Sequence, residues 1–153
     1  MNIEQILDRY ADTLYRLCFV MLENTADAED AVQETLLKLW QKSPRFSDRE
    51  HEKAWLIRVA VNQCRDMLRF RSRHIHTDLD TIQLVAPEAE DPAILEALMQ
   101  LPDKYRLVMM LYYVEEYPIA KIAAIINRTP SAVKMRLQKG RSLLGELYRK
   151  EFL

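Results

Sequence analysis

A chain of 153 residues with 49% apolar and 29% charged side chains can bury a core in one ordinary domain or two small ones, and is too apolar for global disorder. Two glycines, abundant Leu, Ala, Glu, Lys and Arg, and no run of alternating β-branched residues favour helix over sheet. The net charge of −1 hides segregated blocks, and no apolar run approaches the roughly 18 residues of a spanning helix.

The N-terminal MNIEQILDRY lacks the basic-then-apolar order of a secretory signal. Ile3, Ile6, Leu7, Tyr10, Leu14, Leu17 and Met21 recur at spacings of three and four. That predicts a helix over about 2–22 with one apolar face. Asn24 and Thr25 are capping residues, and Asp27 and Glu29 follow where a helix dipole favours acids. A second helix is expected to run to about 42, with Ala28, Val32, Leu36, Leu39 and Trp40 inward, until Pro44 stops it. The polar SPRFSDREHE (43–52) is expected as a loop with at most one short helical turn. A third helix follows over about 53–72, burying Leu56, Val59, Ala60, Cys64, Met67 and Leu68.

The segment 76–91 is acidic, contains Pro87 and has no strong periodicity, so it is expected as a flexible linker. The apolar pattern returns with Ile94, Leu95, Leu98 and Met99, and Pro102 stands at the start of the next helix, carrying Tyr105, Val108, Met109, Leu111 and Tyr112. Pro118 begins another, with Ile119, Ile122, Ala123 and Ile126. Asn127 suits a left-handed turn, Thr129 a cap, and Pro130 the first position of a last helix. The expected fold is all-α: two small helical domains, 1–75 and 92–153, with the linker between them. Cys18 and Cys64 fall on apolar faces and are expected as buried free thiols. His51, His74 and His76 have no Cys or carboxylate cluster at metal-ligand spacing, so no metal or cofactor is expected.

The charge blocks point to function. Residues 1–34 carry eight acids and two Arg, and 65–76 carry four Arg and one Asp. Residues 78–103 carry seven acids and no base, and 117–150 carry eight bases and one acid. In the last block, 118–126 and 130–147 with a three-residue turn fit a helix-turn-helix. On a helical wheel, Val133, Leu137, Gly140, Leu144 and Leu147 share the buried side, and Ser131, Met135, Gln138 and Ser142 the opposite one. Lys134 and Lys139 flank that outer face, whereas Arg136 and Arg141 lie nearer the core boundary, suited to phosphates or to bracing the fold. Gln and Lys suit base edges, Lys and Arg suit phosphates.

A second constellation is the stripe Arg58, Asn62, Arg65, Arg69 and Arg73, spaced four, three, four and four along the third helix. Guanidinium and amide groups with Trp55 and Phe70 near the ends suit single-stranded nucleic acid. A third patch, Asp30, Gln33, Glu34 and Gln41 with Leu37 among them, suits protein docking. Each has a plainer counterpart as a solvated helix face. An enzyme using Asp27, Asp30 and Glu34 as metal ligands is disfavoured, because acids on one solvated helix rarely converge on a cation.

DAEDAVQETLLKLW (27–40), AWLIRVAVNQCRDMLR (54–69) and IAAIINRTPSAVKMRLQKGR (122–141) resemble the bacterial extracytoplasmic-function sigma factors, over nearly the whole chain and in the right order. The resemblance implies a region 2 domain at 1–75 and a region 4 domain at 92–153, joined by the linker 76–91. It implies docking on the β′ clamp helices of core RNA polymerase through Asp30, Gln33, Glu34 and Leu37. It implies capture of the melted −10 strand by Arg58, Asn62, Arg65, Asp66 and Arg69 with the 43–53 loop. It implies binding of duplex −35 DNA by Ser131, Lys134, Met135, Arg136, Gln138, Lys139 and Arg141, and a contact of region 4 with the β flap. Promoter DNA and an anti-sigma factor are the other implied partners. No small-molecule substrate, catalytic residue or membrane insertion is implied, and the cytoplasm is the implied location. Asn127 stands where the family usually has Gly, Pro118 where Ser or Thr is common, Lys121 where Glu is common, and Leu36 where Phe is frequent. The alternatives are another helix-turn-helix regulator without a polymerase-docking domain, and a protein-binding antagonist of a sigma factor. The first would not need the Arg58–Asn62–Arg69 stripe, and the second leaves Lys134, Gln138 and Lys139 without a role.

Overall fold

The computed structural model describes residues 2–73 and 92–152. The expected linker 76–91, its acids, and His74 and His76 lie outside the described residues. Every regular element among the described residues is an α-helix: α1 (Ile3–Leu22), α2 (Thr25–Lys42), α3 (Arg49–Arg73), α4 (Pro92–Met99), α5 (Asp103–Tyr113), α6 (Ile119–Ile126) and α7 (Pro130–Phe152). The chain divides into two compact units, Met1–Pro87 and Glu88–Leu153.

In the first unit α1, α2 and α3 pack against one another. Leu14, Leu17, Leu22, Leu39, Leu56 and Ile57 are its largest fully buried side chains, with Val20 beside them. Asn2 caps α1 by accepting from the Gln5 N–H at 3.2 Å, and Asn24 caps α2 by accepting from the Asp27 N–H at 2.9 Å. Glu23 and Ser43 end these helices in the left-handed conformation, their N–H groups returning to Phe19 and Leu39 carbonyls. Thr35 is buried within α2 and stays satisfied by donating to the Ala31 carbonyl at 2.8 Å. Cys18 and Cys64 are buried free thiols, one on α1 and one on α3.

Three expectations about this unit need correction. Trp40 does not point inward: it is 64% exposed. At 100° per residue it lies well away from Ala28, Val32 and Leu39, toward Gln33 and Leu37. The third helix also begins a turn early, at Arg49. Asp48 is the reason, since its carboxylate accepts from the His51 N–H at 2.8 Å and its carbonyl from the Glu52 N–H at 3.1 Å. Leu7, placed on the apolar face of α1, sits at its exposed rim.

In the second unit α5 and α6 pack on α7, and α4 on α5. Val108, Met110, Leu111, Ile122, Ile126, Val133 and Leu137 form the centre. Gly140 lets α7 approach α5 closely: a Cβ there would stand 3.0 Å from Met109 Cγ and Sδ. Asn127 takes the left-handed conformation, φ 56° and ψ 52°, and its N–H and that of Arg128 both return to the Ala123 carbonyl. Thr129 Oγ1 accepts from the Ala132 N–H at 3.1 Å and so caps α7. Pro118 and Pro102 stand at the N-caps of α6 and α5, just outside the helices, with no side chain to offer as a cap.

Candidate nucleic-acid interface

α6, the turn 127–129 and α7 build a helix-turn-helix from the bottom up. Ile122, Ile125 and Ile126 bury one face of α6, and Val133, Leu137 and Gly140 bury one face of α7. That leaves Ser131, Lys134, Met135, Gln138, Lys139 and Arg141 exposed and Arg136 half-buried. The side chains of Lys134, Gln138 and Lys139 make no hydrogen bond or ion pair among the described residues. The ammonium groups of Lys134 and Lys139 are therefore not committed to an internal acid among the described residues.

Arg141 is held differently. Its Nε donates to the Tyr113 hydroxyl, and its guanidinium lies 5.8 Å and 5.7 Å from the centroids of Tyr112 and Tyr113. The two tyrosines meet edge to face at 4.9 Å. Arg141 thus braces α7 against the end of α5 while its two Nη groups stay available, on the flank next to Lys134. The sequence pattern marks Tyr112 as part of the apolar pattern of α5, but not Tyr113. The Tyr-Tyr pair at the end of α5 was the available signal, but nothing in spacing alone tied it to position 141.

The first unit carries the second basic surface. Arg58, Asn62, Arg69 and Arg73 are exposed and Arg65 half-buried, all along one face of α3. Here acids intervene. Arg69 donates to Asp66 at 3.0 Å, and the neighbouring Arg71 spans to α2 with 2.6 Å to Asp27 and 2.9 Å to the Leu22 carbonyl. Arg71 thereby ties α3 to the α1–α2 junction, and Asp27 is engaged with it rather than with Asp30 and Glu34, as the metal-ligand alternative would require. A cleft of about 550 Å³, lined by Asp27, Gln63, Asp66, Met67, Phe70 and Arg71, opens beside the stripe. Phe70 is 58% exposed at its edge.

Trp55 is half-buried and belongs to an aromatic cluster that shapes the 43–48 loop. Phe46 meets His51 edge to face at 5.4 Å and Trp55 at 5.8 Å. The Ser47 N–H donates to His51 Nδ1 at 3.2 Å. Arg9 of α1 holds Glu52 of α3 at 2.8 Å, and Tyr10 donates to the Arg49 carbonyl at 3.3 Å. Burial pushes the Tyr10 hydroxyl above its ordinary pKa. On α2 the face with Asp30, Gln33, Glu34, Leu37 and Gln41 is exposed, and Trp40 extends it. Sequence reasoning found the patch but not its largest apolar member.

Two matched segments place the molecule in a class. Residues 6–74 match the Sigma-70 region 2 family and 92–144 the Sigma-70 region 4 family. Two regions of this kind define an RNA polymerase sigma factor. The chain is 31% identical to the ECF RNA polymerase sigma factor SigW of Bacillus subtilis, covering 94% of this chain and 87% of SigW. It is 32% identical to the RNA polymerase sigma factor CarQ of Myxococcus xanthus, covering 94% and 90%. The fold is similar to that of the sigma factor RpoE solved with the anti-sigma factor NepR from Bartonella quintana, at a TM-score of 0.72, 24% identity and coverage of 95% and 96%. It is also similar to CnrH solved with the cytosolic domain of CnrY, at a TM-score of 0.68, 23% identity and coverage of 97% and 88%. The chain belongs to the extracytoplasmic-function group of RNA polymerase sigma factors. Its function is that of an alternative sigma factor. No helix among the described residues is long and apolar enough to cross a membrane.

Proposed function

We propose that this sigma factor divides its work between its two basic surfaces, with α7 on duplex −35 DNA and α3 on the melted −10 strand. The observation that carries this reading is the exposed N-terminal half of α7, where Ser131, Lys134, Gln138 and Lys139 stand together on a helix-turn-helix. Gln138 and Lys134 read base edges there, and Lys139, Arg136 and Arg141 meet phosphates. On α3, Arg58, Asn62, Arg65 and Arg69 track a single-stranded backbone, and the cleft beside Phe70 offers an unstacked base an apolar edge. The 43–48 loop and the first turn of α3, set by the Phe46–His51–Trp55 cluster, complete that site.

Asp30, Gln33, Glu34 and Leu37 dock on the β′ clamp helices of core polymerase, and the second unit reaches the β flap. An anti-sigma factor is a further partner, in keeping with RpoE and CnrH, each solved with a protein bound. The chain acts in the cytoplasm as a specificity subunit and not as an enzyme. Runoff transcription with core polymerase on a genomic library tests the whole assignment. Start sites enriched over core alone are expected, and none would sink it.

A further inference from the structure

Met135 stands apart on the outward face of α7. It is 70% exposed, the most exposed large apolar side chain among the described residues. Ser131 one turn before it and Gln138 and Lys139 one turn after it are exposed as well, so its surroundings are polar and cationic. A thioether in that position gains nothing from its own fold, because the apolar face of α7 lies on the other side, at Val133, Leu137 and Gly140. Position 135 falls within the first two turns of the helix, the part that a helix-turn-helix presents to base edges. In the major groove the single apolar feature of a base-pair edge is the 5-methyl group of thymine. Methionine is polarizable and has three rotatable bonds, so it fits a small apolar target without a rigid backbone register.

We infer that Met135 is a specificity residue that reads a thymine 5-methyl group in the duplex promoter element. This rests on α7 being the duplex-binding helix. Gln138 lies three residues further along, about 4.5 Å of helix rise, which is close to one base-pair step. The methyl therefore belongs to a base pair next to, or one removed from, the pair that Gln138 discriminates.

The experiment uses a promoter mapped with the full chain and core polymerase. Each thymine of the upstream duplex element is replaced in turn by deoxyuridine, which removes only the methyl group. Initiation is compared for the wild type, Met135→Ala and Gln138→Ala, with circular dichroism to verify that both variants fold. One replacement is expected to lower wild-type initiation about fourfold, the worth of one buried methyl. Met135→Ala should show the same loss on the natural template and no further loss on that uracil template. Gln138→Ala should keep the methyl effect. If no single methyl matters, or if Met135→Ala remains sensitive to it, the inference is wrong while promoter-directed initiation still stands. Absence of any promoter-directed initiation would overturn the duplex-binding reading and this inference with it.

Discussion

The basic surfaces of the two units differ in the groups that accompany their cations. On α7, Lys134 and Lys139 stand without acid partners among the described residues, beside an amide and a hydroxyl. On α3, Arg69 is held by Asp66, and Arg71 next to the stripe is held by Asp27. Unpaired lysines give a diffuse positive face that suits the dense, regular charge of a duplex. Asp66 offsets charge at Arg69 alone, while Arg58 and Arg73 have no acid partner among the described residues, and the stripe stands next to exposed Phe70 and a cleft. That arrangement suits a strand whose bases must be placed individually. Basic composition alone would have treated the two surfaces as equivalents, whereas their internal partners separate them.

The largest test of this division addresses the packing beneath each surface. Leu56 and Leu137 lie under α3 and α7 and are almost wholly buried. Leu56→Ala and Leu137→Ala should each cost about 2–5 kcal/mol, enough to compromise a small helical unit. Tryptophan fluorescence follows the first, since Trp40 and Trp55 both belong to the unit built around α3, and circular dichroism follows the second. An unmoved unfolding midpoint would contradict the packing described for that unit.

Trp40→Ala separates docking from folding. An aromatic anchor at the centre of a protein interface is worth about 2 kcal/mol or more, whereas removal of an exposed side chain changes stability by about 0.5 kcal/mol at most. Affinity for core polymerase should therefore fall about thirtyfold or more with an unchanged melting temperature. The reverse pattern would return Trp40 to the core.

Within α7, Gln138→Ala should cost about 1–3 kcal/mol at particular base pairs and little at mismatched promoters. Lys139→Ala should weaken binding across all sequences and flatten the salt dependence by about one ion. Titrations on matched and mismatched duplexes at several salt concentrations distinguish them, and identical behaviour would dissolve the division between base and phosphate contacts.

The smallest effect concerns pH and falls on one unit. The hydrogen bond with Cys64, followed by burial, pushes the Cys18 thiol up from its ordinary value of 9.0, and the buried Tyr10 hydroxyl is raised as well. A group raised on folding favours the native state below its unfolded pKa and loses that contribution as pH rises through the folded one. The unit holding α1 and α3 should thus lose stability from about pH 9 upward. Fluorescence-detected unfolding between neutral pH and pH 10.5 reads that decline, and Cys18→Ala with Cys64→Ala should remove its thiol part.

Much of this architecture was legible in the chain. Asn24, Thr129 and Asn127 act by local chemistry, a side-chain oxygen over an N–H or a tolerated left-handed turn, and local chemistry is written in the sequence. Periodicity found the buried faces of α1, α6 and α7. It failed where apolar residues crowd. In LIRVAV the apolar residues spread over more than half of the circumference of α3, so Ile57 and Val61 went unmarked although both are wholly buried, while Val59 is only half-buried. Trp40 was placed inward because it is large and apolar, although its angle on the wheel pointed outward. The brace between Arg141 and the two tyrosines depends on a distance of 28 residues along the chain, which no local pattern encodes. Asp48 was a missed local signal, an acid followed by Glu50 and Glu52 in the first turn of α3.

The helix stops have a practical consequence. Every left-handed residue among those described, Glu23, Ser43, Glu116 and Asn127, carries a side chain where glycine would be easier, and none is a glycine. Each such position holds back roughly 0.5–1 kcal/mol once the entropy of glycine is counted. Neither Glu23 nor Glu116 is among the residues proposed above to meet DNA or polymerase. They are therefore the natural sites for hardening this protein against heat, leaving its choice of promoter untouched.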